Sequence, residues 1–131
     1  MYVNGAFEMA SDIEVEVRNG TLGFQTSILS LGAENSTLTF KNVLLPYDSS
    51  NPSTRYTIKP ADNSTLIIDG DNSLAYAAYG HLKYSPTTSG RFMLKNYAGR
   101  MFTTNEAFNN DSEVVISNAQ WSVWVGETST S

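Results

Sequence analysis

Ile13-Glu14-Val15-Glu16-Val17-Arg18 alternates apolar and charged residues, and Asn19-Gly20 follows at once. Strict alternation marks a strand with one face on a core and the other in water. Asn-Gly is the strongest short signal for a tight hairpin, because both central positions of a type I′ turn need positive φ. This stretch predicts that the chain reverses at Asn19-Gly20 and returns along Thr21 to Ser27, with Leu22 and Phe24 on one face. Adjacent strands would then run antiparallel.

Further strands follow the same logic over Thr37–Leu45, Arg55–Lys59, Thr65–Asp69, Leu74–Tyr84, Arg91–Tyr97, Glu113–Ser117 and Gln120–Val125, with another near Tyr2–Glu8. Clusters of Gly, Asn, Asp, Ser and Pro separate them, and Pro46, Pro52, Pro60 and Pro86 all fall in such clusters. One turn of helix is expected over Thr104–Phe108, capped by Thr103 or Thr104, with Glu106 near its positive end. The longest loop runs from Pro46 to Thr54. The expectation is an all-β fold, an antiparallel β-sandwich or jelly-roll-like single domain over residues 1–131 with about nine or ten short strands. Its expected core includes Val15, Val17, Phe24, Leu38, Phe40, Ile67, Tyr76, Leu82, Phe92, Val115, Trp121 and Val123.

A short pattern recurs. Asn19-Gly-Thr-Leu-Gly-Phe, Asn35-Ser-Thr-Leu-Thr-Phe, Asn63-Ser-Thr-Leu-Ile-Ile and Asn72-Ser-Leu-Ala-Tyr each lead a turn into a strand. Their unequal spacing argues against a fixed-period solenoid and for repeated use of Asn and Ser/Thr in turns. Asn19, Asn35, Asn63 and Asn110 also begin N-x-Ser/Thr sequons, which chance explains in so Asn-, Ser- and Thr-rich a chain.

Composition narrows the function. The 131 residues contain no Cys, which removes disulfides, thiolate catalysis and Cys-based zinc sites. Eight Lys and Arg against thirteen Asp and Glu leave a net charge of -5, a poor balance for gripping phosphate backbones. No apolar run approaches a membrane span, and Met1–Gly5 lacks the basic-then-apolar start of a signal peptide. Ser, Thr and Asn make up 41 of the 131 residues while only 16% are charged, so the surface is built from hydroxyls and amides. Surfaces of that kind suit proteins facing the outside world.

No catalytic constellation emerges. His81 is the single histidine, without a Gly-x-Ser-x-Gly nucleophile motif, and reads as a strand residue facing solvent or an interface. Asp69-Gly70-Asp71-Asn72-Ser73 begins like a calcium loop but has Leu74 where the glycine belongs and Gly80 where the final glutamate belongs, so it reads first as a hairpin turn. Asn109-Asn110-Asp111-Ser112 is a second acidic turn. No catalytic residue, metal or cofactor is therefore assigned. Among aromatics, Trp124 falls on the strand face opposite Trp121, Val123 and Val125, with Gln120 and Ser122 beside it. Trp124, Tyr79, Tyr47 and His81 are the candidate interface or ligand contacts.

The expectation is a non-enzymatic structural or assembly protein, such as a capsid decoration protein on a virion surface. Its partner would be a protein lattice or copies of itself, with a homotrimer as one form, and neither nucleic acid nor a membrane. The alternative is an extracellular carbohydrate-binding or lectin-like module that stacks a glycan on those aromatics.

Overall fold

The computed structural model describes residues 2–3, 8–24, 28–45, 56–70, 81–125 and 128–129, with side chains for 8–23, 28–45, 56–70, 82–97, 101 and 103–119. The strands are β1 (Tyr2–Val3), β2 (Glu14–Thr21), β3 (Gly23–Phe24), β4 (Ile28–Leu31), β5 (Thr37–Leu44), β6 (Thr57–Pro60), β7 (Thr65–Asp69), β8 (His81–Tyr84), β9 (Arg91–Thr103), β10 (Glu113–Val125) and β11 (Thr128–Ser129). β2, β5, β6 and β7 lie close to expected strands, but β9 runs past the expected Tyr97 to Thr103, Glu113–Ser117 and Gln120–Val125 are one strand, and β4 and β11 fall in no expected one. Of the expected Leu74–Tyr84, residues 74–80 lie outside the described ones. The pairing differs throughout.

The antiparallel sandwich is overturned. β2 pairs with β5, β5 with β7, β7 with the first part of β9, and β9 with β10, all parallel. A second parallel series runs β4, β6, β8, then the later part of β9. Among the described residues only β10 and β11 pair antiparallel. Parallel neighbours need a crossover between them, ordinarily a helix. Among the described residues there is no helix, and the expected turn at Thr104–Phe108 is bend and irregular chain. The crossover is instead a strand of the other sheet. The chain thus winds as a parallel β-solenoid whose five successive rungs begin at β2, β5, β7, β9 and β10. β9 and β10 are long enough to cross both sheets, which is why β9 pairs with β7 at one end and β8 at the other.

The Asn19-Gly20 hairpin fails for a backbone reason. A type I′ turn needs two successive residues at positive φ. Asn19 has φ 59°, but Gly20 is not among the positive-φ residues and stays in β2. One left-handed residue bends a strand by a corner; it does not reverse it. Asn42 (φ 53°), Asn96 (φ 51°) and Asn118 (φ 53°) turn the same corner on other rungs. Asn tolerates this conformation better than most residues. Their side chains also bridge the rungs. Asn42 Nδ2 donates to Asn19 Oδ1 at 3.1 Å, Asn96 Nδ2 to Asp69 Oδ1 at 3.2 Å, and Asn118 Nδ2 to Asn96 Oδ1 at 3.1 Å. On the third rung the corner is Gly70, where a Cβ would lie 2.1 Å from the Asn96 carbonyl oxygen. Only glycine fits that approach.

A second corner leads into the first sheet. Asp12 (φ 62°), Asn35 (φ 56°) and Asn63 (φ 54°) occupy it. Ala33-Glu34-Asn35-Ser36 and Ala61-Asp62-Asn63-Ser64 form the same turn on consecutive rungs, each with a buried serine hydroxyl donating to the alanine carbonyl. The true repeat therefore starts at Asp12, Asn35, Asn63, Ser89 and Asp111 and runs on through a strand to the Asn or Gly corner. Successive starts lie 22 to 28 residues apart, so the solenoid exists without a fixed period. Of the four recurrences read from sequence, Asn35 and Asn63 are a genuine pair. Asn19 belongs to the other corner, and Asn72 lies outside the described residues.

The core fills the space between the sheets. Leu38, Phe40, Leu66, Ile68, Phe92 and Leu94 point in from one side, and Leu29, Leu31, Ile58, Leu82, Tyr84 and Met101 from the other. The Tyr84 and Phe92 rings stack at 5.0 Å between centroids. Leu38, Phe40, Leu82 and Phe92 are buried as expected, and Val15 and Val17 pack against the core partly buried. Ile67 and Val115 do not belong to it. They alternate onto the outer face, while Leu66 and Val114 hold the inward column with Phe92. In the runs Leu66-Ile67-Ile68 and Val114-Val115-Ile116 composition alone leaves the phase of the alternation open. Tyr76, and the side chains of Phe24, Trp121 and Val123, lie outside what is described.

Candidate functional site

The outward face of the first sheet is a grid of short columns. One column reads Glu14, Thr37, Thr65, Arg91, Glu113 down the five rungs, and the next reads Glu16, Thr39, Ile67, Met93, Val115. In these two columns the interior rungs carry hydroxyls, methyls and one arginine, and the carboxylates stand on the end rungs; the third column, Arg18, Lys41, Asp69, Lys95, Ser117, carries charge on the interior rungs as well. Arg91 Nε lies 3.4 Å from Glu113 Oε1, an ion pair between adjacent rungs within one column. On the first rung Arg18 Nη2 donates to Glu16 Oε2 at 2.8 Å, with both side chains about half exposed.

The first rung is also structurally open. Among the described residues only β5 pairs with Glu14–Arg18, and the other edge of that stretch presents backbone N–H and C=O groups. Val15 and Val17 face inward in the columns of Leu38 and Phe40, yet both remain partly accessible where their neighbours are fully buried. A shallow cavity of about 480 Å³ lies here, lined by Glu14, Val15, Glu16, Thr37 and Thr39. At the far end, Ile116, in the column of Leu94, is 41% exposed.

A second arrangement sits on the corner after β9. Ser85 Oγ and Thr104 Oγ1 both donate to Glu106 Oε1, at 2.9 and 2.7 Å. Asn109 N donates to the Pro86 carbonyl at 2.8 Å, pinning this loop to the preceding one. Between these anchors Phe108 is 55% exposed. Nearby, Tyr84 donates to or accepts from Ser112 Oγ at 3.0 Å. Burial pushes the Tyr84 phenol up from the ordinary tyrosine range, and the Ser112 hydrogen bond partly offsets that.

The sequence candidates fare unevenly. Tyr47 and Tyr79 lie outside the described residues. Trp124 pairs through its backbone with Ser129, and His81 opens β8 opposite Arg100; the side chains of both lie outside what is described. Asp69 does not begin a hairpin. It ends β7 in parallel register with Lys95, and its carboxylate accepts from Asn96, while residues 71–73 lie outside the described ones. Among the described residues no group of three or more His, Asp and Glu could hold a metal ion, and no helix is long and apolar enough to cross a membrane. Sequence reasoning missed both the Glu14–Glu16 edge and Phe108. The edge had a signal: Glu14 and Glu16 stand where the next repeat has Thr37 and Thr39. Phe108 had none, having been read as part of a helical turn.

Comparison with protein-family models, with curated proteins and with solved structures finds no match to this chain.

Proposed function

We propose that the chain is a non-enzymatic structural protein, a short rigid stack that becomes one member of a larger assembly. The observation that supports this is the incomplete burial of the inward columns at both ends, at Val15 and Val17 on one side and Ile116 on the other. A stack that leaves core positions half-covered and sheet edges unpaired gains stability when another surface completes it. A decoration protein of a virion, or a comparable element of another exposed lattice, is the narrower form of the proposal. Its support is the hydroxyl- and amide-rich composition. Self-association, including a trimer, belongs to the same form.

The test is recovery of the chain from its source under non-denaturing conditions, followed by sedimentation. It should travel with a large particle and leave it only when the particle is taken apart. Recovery as a free monomer that binds or cleaves a glycan would overturn the reading.

A second reading, carbohydrate binding, is favoured by Phe108 alone. An exposed aromatic on a pinned loop, two residues along the chain from a carboxylate that accepts from two hydroxyls, offers a stacking surface and a hydrogen-bond acceptor on one loop. A glycan array read with the wild-type chain and with Phe108→Ala tests it. Binding that disappears in the variant supports this reading, and an array with no signal removes it.

A further inference from the structure

Resting on the assembly reading, we infer that the edge of Glu14–Arg18 that faces away from β5 is a docking site for an extended segment of another protein carrying Lys or Arg at alternate positions. The segment adds as one more rung. Three features of the first rung converge on this. Its outer edge is unpaired among the described residues, so a strand laid along Glu14–Arg18 would meet a ladder of backbone groups. Val15 and Val17 are inward-facing but only partly covered, so the same strand would seal two core columns with its own apolar side chains. The cavity of about 480 Å³ lined by Glu14, Val15, Glu16, Thr37 and Thr39 lies on the outward face beside this edge, where the strand's outward-pointing side chains would arrive.

Charge decides which strand fits. Asp12, Glu14 and Glu16 stand along this rung, and Arg18 is already turned onto Glu16. The protein itself shows what belongs beside a glutamate in this column, because Arg91 sits one rung from Glu113 at 3.4 Å. A docking strand with basic residues over Glu14 and Glu16 would repeat that pairing twice. Another copy of this chain does not fit. Its last rung would set Glu113 against Glu14 and Asp111 against Asp12, and like charges directly opposite one another destabilise a strand pair. The acidic rung therefore selects a foreign basic strand and rejects head-to-tail polymers of the chain itself.

The test uses the full chain and three labelled peptides: one alternating Lys or Arg with Val, one alternating Glu with Val, and the basic peptide with its alternate backbone amides N-methylated. Fluorescence polarisation reads affinity, and amide hydrogen exchange reads location. The basic peptide should bind and slow exchange at residues 14–18. Glu14→Gln with Glu16→Gln should weaken it about tenfold, and Glu14→Lys with Glu16→Lys more so, while the latter variant gains the acidic peptide. Circular dichroism confirms that the variants fold, and both positions are exposed enough for that to be expected. Three results overturn the inference: no binding of the basic peptide, equal binding of its N-methylated form, or protection that maps away from β2. If any of these occurs while the chain still travels with a large particle, the docking site is wrong and the structural role stands.

Discussion

Leu38 and Phe40 on the second rung are fully buried, while Val15 and Val17 in the same inward columns one rung away are only partly covered. The two strands have the same alternation and the same corner residue, Asn19 or Asn42, and they lie in register. What separates them is position. An interior rung has neighbours on both sides, and an end rung has one. In a solenoid the local pattern chooses the strand, and the place in the stack decides how much stability each apolar side chain contributes.

Truncated core side chains on an interior and an end rung should differ most in their cost. Phe92→Ala removes a ring stacked on Tyr84 between two occupied rungs and should cost about 3 to 5 kcal/mol. Val15→Ala on the open rung should cost less than about 1.5 kcal/mol, because its site is already partly hydrated. Denaturant unfolding of both variants decides. Similar losses would mean that the first rung is as well enclosed as the fourth.

Glycines sharpen the same contrast. Gly70→Ala drives a methyl group into the Asn96 carbonyl oxygen and should destabilise by about 3 kcal/mol, since the obstacle is backbone of the next rung. Gly20→Ala on the first rung meets nothing within 4 Å and needs no left-handed backbone. It should be neutral or stabilise by about 0.5 kcal/mol. Thermal unfolding of the pair reads the difference directly.

The amide ladder gives a smaller effect. Asn96→Ala loses a bond to Asp69 and one from Asn118 and leaves alanine at positive φ, for about 2 kcal/mol. Asn96→Gly should recover the backbone part. Asn19→Ala also leaves alanine at positive φ but loses only one exposed ladder bond, and should cost less, about 1.5 kcal/mol.

The smallest effect is with pH. Burial raises the Tyr84 phenol above its unfolded value, so the folded state resists ionisation. Below the ordinary tyrosine range both states are neutral and nothing changes. As pH rises above about 10 the unfolded chain releases this proton first, and stability falls. Tyr84→Phe should flatten that alkaline slope, at a neutral-pH cost of about 1 kcal/mol for the lost Ser112 bond. Denaturation midpoints measured from neutral to alkaline pH check both parts.

The element positions were legible in the sequence because alternation is a local property. Thr65–Asp69 was read to the residue and Thr37–Leu45 to within one. Pairing was not legible, because it depends on one torsion. Asn-Gly reads identically whether one residue or two adopt positive φ, and that choice separates a reversal from a corner. The repeat was half visible. Asn35-Ser-Thr-Leu and Asn63-Ser-Thr-Leu matched, but the first rung enters as Asp12-Ile-Glu-Val and the fourth as Ser89-Gly-Arg-Phe, sharing chemistry at only a few columns. The Glu14–Glu16 edge could be recognised only once the rungs were aligned and the interior threonines stood beside those glutamates.

Between the two sheets, β5 ends at Leu44 and β6 begins at Thr57, whereas β9 spans the same passage as a single strand. Register on either side is unaffected by that difference. The fold therefore separates the length of a connection from the placement of the strands it joins, so segments can be inserted or deleted at this corner without re-threading the rest. For protein engineering, the passage between β5 and β6 is a place to graft a foreign peptide, because the register of β5 with β7 and of β6 with β8 is set on either side of it.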